Sequence, residues 1–462
     1  MALKKVVSLR GHSNAITSSE VFRLPDSKEP SLVSCDSKGW IIWWDLNKRR
    51  PMGTWKGHDS SIITVKQLDN NYLLTHSKDS EIKIWDILSF TNFSSSVPTL
   101  NFNDVKYFSV KDSDQLRKKK EELLNIFPVP NSVSIPVNAL NFCNVDYCKN
   151  LLITPASQDS NHFDIYKIFD GASPDESIED QLNLKRVVTN FSGWDLYQKQ
   201  IKLQEDIEVE IPSSSDLKRD QFGIVMKVLF IKETVFFVGY ESGHVLGFSL
   251  EDVKPISISS SSSSSTSTAN TQGDNLGLSS MFRKQPGLIA TERTLINREF
   301  KVNLIYAHAS HTPEPVISLS YEDGFVVSGS LRKSIIVHDY RNRTQHKVKL
   351  RMAGIQAISS VRDIIVVGFW NGQVCGYSHD FEEIFAILGN VPVVETLEDS
   401  NAQAIKSKNV LKLSNLTTID SDKSATELPN SYRSLIKQRK SITRKDLLVL
   451  SYEDGTISIY EL

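Results

Sequence analysis

Residues 57–86 read Gly57-His58-Asp59-Ser60-Ser61-Ile62-Ile63-Thr64-Val65-Lys66-Gln67-Leu68-Asp69-Asn70-Asn71-Tyr72-Leu73-Leu74-Thr75-His76-Ser77-Lys78-Asp79-Ser80-Glu81-Ile82-Lys83-Ile84-Trp85-Asp86. Three short apolar runs alternate with polar turns, as strands joined by tight connections do. The whole lies between a Gly-His and a Trp-Asp pair.

A second copy runs from Gly11-His12 to Trp44-Asp45, lengthened by a loop around Pro25 to Pro30. This Gly-His to Trp-Asp unit resembles the WD40 repeat, one four-stranded blade of a β-propeller. The resemblance implies a hydrogen-bonded relay of His58, Thr75, Asp79 and Trp85, a structural role rather than a catalytic one. In the first copy Ser34 fits the strand position, but Lys38 stands where the turn Asp is expected, so that relay is expected to be incomplete. Strand alternation puts Trp40 and Trp44 on one face and Trp43 on the other.

Degenerate copies follow. Strand-like runs at 137–142, 151–154, 163–169 and 184–191 make a third blade, with Phe169-Asp170 in place of Trp-Asp. Runs at 222–231, 235–240, 243–249 and 294–306 make a fourth, with Phe248 replacing the Trp. Runs at 315–320, 325–329 and 334–339 supply a fifth, and 355–359, 363–368 and 372–377 a sixth. A seventh begins near 391–396 and finishes with 447–450 and 455–461, one strand short. Lys4 to Leu9 supplies the missing strand. The expected fold is therefore all-β: a WD40 propeller of about seven four-stranded blades, one domain over 1–462, closed by the N-terminal strand and free of open sheet edges at the junction.

Insertions are expected at about 88–135, 192–220, 251–290 and 399–443. The first holds a possible helix at 113–125 and a basic run at 117–120, readable as a nuclear import signal or a solvated helix face. The third is Ser-rich and expected to be disordered. The fourth carries a basic stretch at 433–445. Trp194-Asp195 lies in the irregular 193–220 segment and is not counted as a repeat end.

The 462 residues are 40% hydrophobic and 23% charged, with net charge −2, which gives no global field for nucleic acid. Among Cys35, Cys143, Cys148 and Cys375 only one pair is close, so no metal site is expected and the thiols suit a reducing compartment. The N-terminus lacks an apolar signal core and no apolar run approaches ~18 residues. A soluble intracellular protein is expected. There is no Gly-rich phosphate loop, no His-Glu-x-x-His and no Gly-x-Ser-x-Gly, so no catalytic, cofactor-binding or metal residue is assigned and an enzyme is not expected. His308 and His311 occupy a blade junction where other copies carry Gly-His. Glu322-Asp323 and Glu453-Asp454 precede Gly in tight turns. An enzyme would need polar groups converging in the central channel. The Phe-Arg-Arg-Gly motif of phosphoinositide-binding propellers is absent. The Trp-Asp-x-Arg of cullin-ligase substrate receptors has its nearest match in His338-Asp339-Tyr340-Arg341.

Leu9-Arg10-Gly11-His12, Gly39-Trp40-Ile41-Ile42-Trp43-Trp44-Asp45 and the ending Gly455-Thr456-Ile457-Ser458-Ile459-Tyr460-Glu461-Leu462 give the chain a resemblance to the fungal ASTRA-associated protein 1 family, itself similar to G-protein β-subunit-like WD proteins. That resemblance implies a non-enzymatic scaffold of the ASTRA complex, linked to chromatin remodelling and to cochaperone-assisted maturation of phosphatidylinositol-3-kinase-related kinases. Implied partners are the Tra1 pseudokinase, RuvB-like AAA+ ATPases and the Tel2-Tti1-Tti2 cochaperone, in the nucleus and also in the cytoplasm, with no membrane and no direct nucleic acid. The alternative is a cullin-type ubiquitin-ligase substrate receptor. Trp40 and Trp370 are the candidate partner-binding residues, because aromatic anchors dominate binding hot spots.

Overall fold

The computed structural model describes residues 3–24, 29–68, 72–87, 129–138, 143–168, 184–203, 222–252, 300–322, 324–378, 380–387, 411–420 and 445–462. They form seven four-stranded antiparallel sheets. The N-terminal strand is β1 (Lys4–Arg10). Blade 1 holds β2 (Ile16–Phe22), β3 (Ser31–Asp36), β4 (Trp40–Asp45) and β5 (Arg50–Lys56). Blade 2 holds β6 (Ile62–Gln67), β7 (Tyr72–Ser77), β8 (Glu81–Asp86) and β9 (Ser132–Pro136). Blade 3 holds β10 (Asp146–Cys148), β11 (Leu151–Pro155), β12 (Phe163–Lys167) and β13 (Lys185–Phe191). Helix α1 (Gly193–Leu203) follows. Blade 4 holds β14 (Val225–Lys232), β15 (Val235–Tyr240), β16 (Val245–Asp252) and β17 (Phe300–His308). Blade 5 holds β18 (Ser318–Glu322), β19 (Phe325–Gly329), β20 (Ser334–Asp339) and β21 (Thr344–Lys349). Blade 6 holds β22 (Ile355–Val361), β23 (Ile364–Phe369), β24 (Val374–Tyr377) and β25 (Glu383–Ile387). Blade 7 holds β26 (Leu413–Ile419), β27 (Leu447–Tyr452) and β28 (Thr456–Glu461), and β1 pairs with β28 as its fourth strand, from Lys4 opposite Glu461 to Arg10 opposite Thr456. The ring is thus closed by the two chain ends, as the leftover strands predict.

The core is divided among the seams between blades. One buried apolar cluster fills each neighbouring pair, and the blade 7–blade 1 seam joins Ile457 and Ile459 to Trp40, Ile42 and Trp44. Trp43 points the other way, into the blade 1–blade 2 seam with Trp55 and Trp85. The innermost strands bury every third residue: Ile62, Val65 and Leu68; Val225, Val228 and Ile231; Ile355, Ile358 and Val361; Leu413, Leu416 and Ile419. In each of these strands a bulge early on puts the first two residues into the preceding seam, while the third falls into the following one.

Three boundaries differ from the sequence expectation. The outer strand of blade 2, β9, lies at the end of the expected 88–135 insertion. Blade 3 begins at Asp146, because Lys149 and Asn150 both take positive φ (38° and 68°) and make a two-residue hairpin to β11; of the expected run at 137–142, Val137 and Asn138 are in no strand and the rest lies outside the described residues. Blade 7 begins at β26, inside the expected 399–443 insertion; the run at 391–396 lies outside the described residues. Within 192–220, residues 193–203 are helical rather than irregular. Ser192 Oγ accepts from the Asp195 amide at 3.1 Å, and Trp194 and Tyr197 pack on Phe222. Trp194-Asp195 therefore ends no blade. The expected helix at 113–125, the basic run at 117–120, the Ser-rich segment and nearly all of 433–445 lie outside the described residues. Among the described residues no helix is long and apolar enough to cross a membrane.

Candidate functional site

In blade 2 the four relay residues meet. His58 Nδ1 lies 2.9 Å from Asp79 Oδ2, His58 Nε2 lies 2.7 Å from Thr75 Oγ1, and Trp85 Nε1 donates to Thr75 Oγ1 at 2.8 Å. A carboxylate only accepts, so His58 Nδ1 carries the hydrogen and Nε2 accepts from the Thr75 hydroxyl. The Thr75 hydroxyl thus accepts from Trp85 and donates to His58, and Asp79 accepts besides from the Asp59 and Glu81 amides at 3.1 and 3.3 Å. Burial pulls the His58 pKa below its usual value, and Asp79 offsets this only in part.

Blade 1 corrects the sequence reading. Its relay is complete, with Asp36 in place of the expected turn position at Lys38. His12 Nδ1 is 3.1 Å from Asp36 Oδ2, His12 Nε2 is 2.8 Å from Ser34 Oγ, and Trp44 Nε1 donates to Ser34 Oγ at 2.8 Å. Asp36 ends its strand rather than sitting in the turn, and it also accepts from the Lys38 and Trp40 amides. Burial works against its charge, but these bonds outweigh it and hold the pKa below the usual carboxylate value.

Blade 5 carries a third version with no carboxylate. Tyr306 OH is 2.8 Å from His338 Nδ1, His338 Nε2 is 2.6 Å from Ser328 Oγ, and Ser328 Oγ is 2.7 Å from His311 Nε2. His338 thus occupies the Trp place and meets the strand hydroxyl with a ring nitrogen as the indole does. Burial pulls His338 down to about 3 and His311 to about 4, so both are neutral at pH 7. The junction His311 has the structural place its position in the repeat suggests.

The relay loops also lean on the preceding blade. Gly57 and His58 donate their amides to Gly39 O, and His311 N donates to Gly243 O at 3.0 Å. Gly39 has φ +83°, and a Cβ there would lie 1.9 Å from His58 O; at Gly243, φ +85°, it would meet His311 and Thr312 backbone at about 2.6 Å and 2.5 Å. Only glycine fits these turns.

The two tryptophans proposed as anchors part company. Trp40 is 5% exposed within the blade 7–blade 1 seam and offers no surface to a partner. Residues on the middle strands of a closed ring face a neighbouring blade, which its strand position alone did not reveal. Trp370 is 45% exposed. It sits in the β23–β24 turn with its ring over Gly354, and its amide donates to Gly354 O at 2.9 Å.

The channel lining is polar, not only backbone and apolar. Ser19 bonds Thr417 at 2.7 Å, Ser359 bonds Thr418 at 2.9 Å and Ser320 bonds Ser360 at 3.1 Å, each joining neighbouring inner strands. Lys66 of β6 pairs with Asp146 of β10 at 3.1 Å, which with Glu20 raises the lysine pKa. A cavity of about 410 Å³ is bordered by Ser19, Glu20, Arg23, Thr417 and Asp420. Across the blade 7–blade 1 boundary Ser19 bonds Thr417 and Arg23 donates to Asp420 O at 3.1 Å, while burial pushes the Glu20 carboxyl pKa up. The donor atoms of His58, Asp79 and Glu81 also lie within 4.8 Å of one another. There, however, His58 is bonded to Asp79 and Glu81 pairs with Lys83 at 3.4 Å. Asp339 of the ligase-like motif is half-buried and accepts from the Arg341 and Asn342 amides, each at 3.1 Å, closing its own turn.

Comparison with known proteins agrees with the geometry. The family model for ASTRA-associated protein 1 matches residues 5–460. A Debaryomyces hansenii protein named ASTRA-associated protein 1 is 40% identical, covering 99% of each chain. A Meyerozyma guilliermondii protein of the same name is 35% identical over 98% of each. The crystal structure of Saccharomyces cerevisiae Sqt1 superposes with a TM-score of 0.51 at 9% identity, covering 100% of both chains, a likeness of fold alone.

Proposed function

This chain belongs to the ASTRA-associated protein 1 family, and on that premise we propose that it is a non-enzymatic scaffold subunit of the ASTRA complex, acting in the nucleus. The observation that carries this is kinship over the full length, on a closed ring whose polar clusters are tied up in holding blades together. The finer reading is a role in chromatin remodelling and in cochaperone-assisted maturation of phosphatidylinositol-3-kinase-related kinases, through the Tra1 pseudokinase, the RuvB-like ATPases and Tel2-Tti1-Tti2. A rigid propeller suits such work, because its rim and loops offer several separate surfaces of the ~800 Å² per partner that stable contacts need. Trp370 is the exposed aromatic candidate for an anchor.

Affinity purification of the tagged full chain with mass spectrometry tests the proposal. It should recover the Tra1 pseudokinase and the cochaperone. Recovery of cullin adaptors without any ASTRA subunit would replace it with the ligase-receptor reading.

A further inference from the structure

We propose that the outer edge of blade 5 takes an acidic, extended segment of a partner protein as an added strand. Among the described residues β21 is the last strand of its sheet and is hydrogen-bonded to β20 along one side only. All its residues except Val348 are exposed. His346 stacks on Phe381 of blade 6 and Val348 is buried in the blade 5–blade 6 seam. Alternation therefore sends Gln345, Lys347 and Lys349 to the opposite face. Arg343 precedes this row and Arg351 follows it. Lys349 lies opposite Ser334, beside the Arg332-Lys333 turn.

Seven cations thus crowd residues 332–351, against one carboxylate, Asp339, which is occupied with Asn342. Arg332 donates to Thr312 O and Arg351 pairs with Glu383. Among the described residues, Lys333, Arg343, Lys347 and Lys349 have no ion-pair partner. Lysines on a free edge commonly serve only to deter aggregation. Of the other outer strands β9 and β25 carry no cation, while β1, β5, β13 and β17 carry one to three. What sets β21 apart is that Lys347 and Lys349 alternate on one exposed face, with Arg343 and Lys333 beside them, in a chain that is slightly acidic as a whole.

An added strand would gain main-chain bonds from the free edge, and its alternate residues, ~6.8 Å apart, would meet the alternate cations in opposite-charge pairs. Single-stranded nucleic acid fits less well, since it wants aromatic platforms along the groove. The ring pair here, His346 and Phe381, faces the other side and is stacked on itself. The inference deepens the scaffold reading and rests on it only for the occupant being a protein.

The test is a titration of the purified full chain, so it can fail while the purification above succeeds. The probes are a labelled peptide of alternating Glu and Thr, an isomer with its Glu residues contiguous, and a single-stranded oligonucleotide. The alternating peptide should bind with an affinity that falls as salt rises, and the contiguous isomer more weakly. Lys347→Glu with Lys349→Glu should weaken it about tenfold or more, as loss of close charge pairs requires, with the melting temperature unchanged. Should that variant unfold, Lys347→Gln with Lys349→Gln should give a smaller loss in the same direction. Equal affinity for the two peptides, no loss in the folded variants, tighter binding of the oligonucleotide, or no peptide binding would each overturn the proposal.

Discussion

Blades 2 and 4 solve the same packing problem with opposite chemistry. Blade 2 ties its strands with the polar chain from Trp85 through Thr75 and His58 to Asp79. Blade 4 has Phe248 in the Trp place, fully buried and stacked on Phe236 at 5.3 Å, with Phe163 at 5.6 Å and Phe191 at 6.2 Å. The strand pattern is the same in both. A blade of this ring therefore requires a filled seam, and the relay is one way of filling it that also fixes the loop leaning on the preceding blade. Blade 5 stands between the two: the hydrogen-bond chain persists there, with His338 in place of Trp.

If that is right, the two chemistries should fail differently. Phe248→Ala should be the costliest change, about 3–5 kcal/mol, because an aromatic deleted from a closed seam leaves a cavity. Chemical denaturation would show this, and a loss smaller than that of the relay variant would break the comparison. Asp79→Ala should cost about 1–3 kcal/mol, the penalty for a buried hydrogen-bond partner left unmet.

The neutral histidines of blade 5 add a pH dependence. Their folded pKa values, about 3 for His338 and about 4 for His311, lie below the ~6.5 of an unfolded histidine. Between these limits the unfolded chain binds more protons, so stability is full above pH ~6.5 and declines as pH falls through the window, by up to ~1.4 kcal/mol per pH unit for each histidine. Thermal melts between pH 7 and 5 should show the decline, and His311→Gln should lessen it; a slope unchanged by that substitution would remove His311 as a cause. The smallest effect on stability belongs to the exposed ring. Trp370→Ala should stay within ~0.5 kcal/mol of the parent yet reduce recovery of partners, and full recovery would strike Trp370 from the candidate anchors.

The sequence made blades 1 and 2 legible because Gly-His and Trp-Asp bracket strands of ordinary period. It also showed the ring closure, since a strand was left over at each end. It hid the inner strands of blades 3 and 7. Leu413, Leu416 and Ile419 follow a step of three, which matches neither an alternating strand nor a helix face, because a bulge shifts the register early and the strand serves two seams. Asp36 was missed for a related reason: the relay carboxylate was sought two residues along, in the turn, whereas the strand end reaches His12 equally well. The His338 substitution lay in plain view, but its role depends on Ser328, brought near it by pairing across β19 and β20, and on His311, held at the blade junction by its amide bond to Gly243 O. The exposure of Trp370 and the burial of Trp40 follow from position in the ring, which a local reading of aromatic residues does not contain.

The central claim is that the relays hold the propeller together while the exposed rim meets partners. It is tested most directly by co-purification of the Asp79→Ala chain, read beside its melting temperature and performed well below it. The account predicts a lowered melting temperature with the parent's partners still recovered. An unchanged melting temperature with the partners lost would contradict it and make the relay itself a binding site.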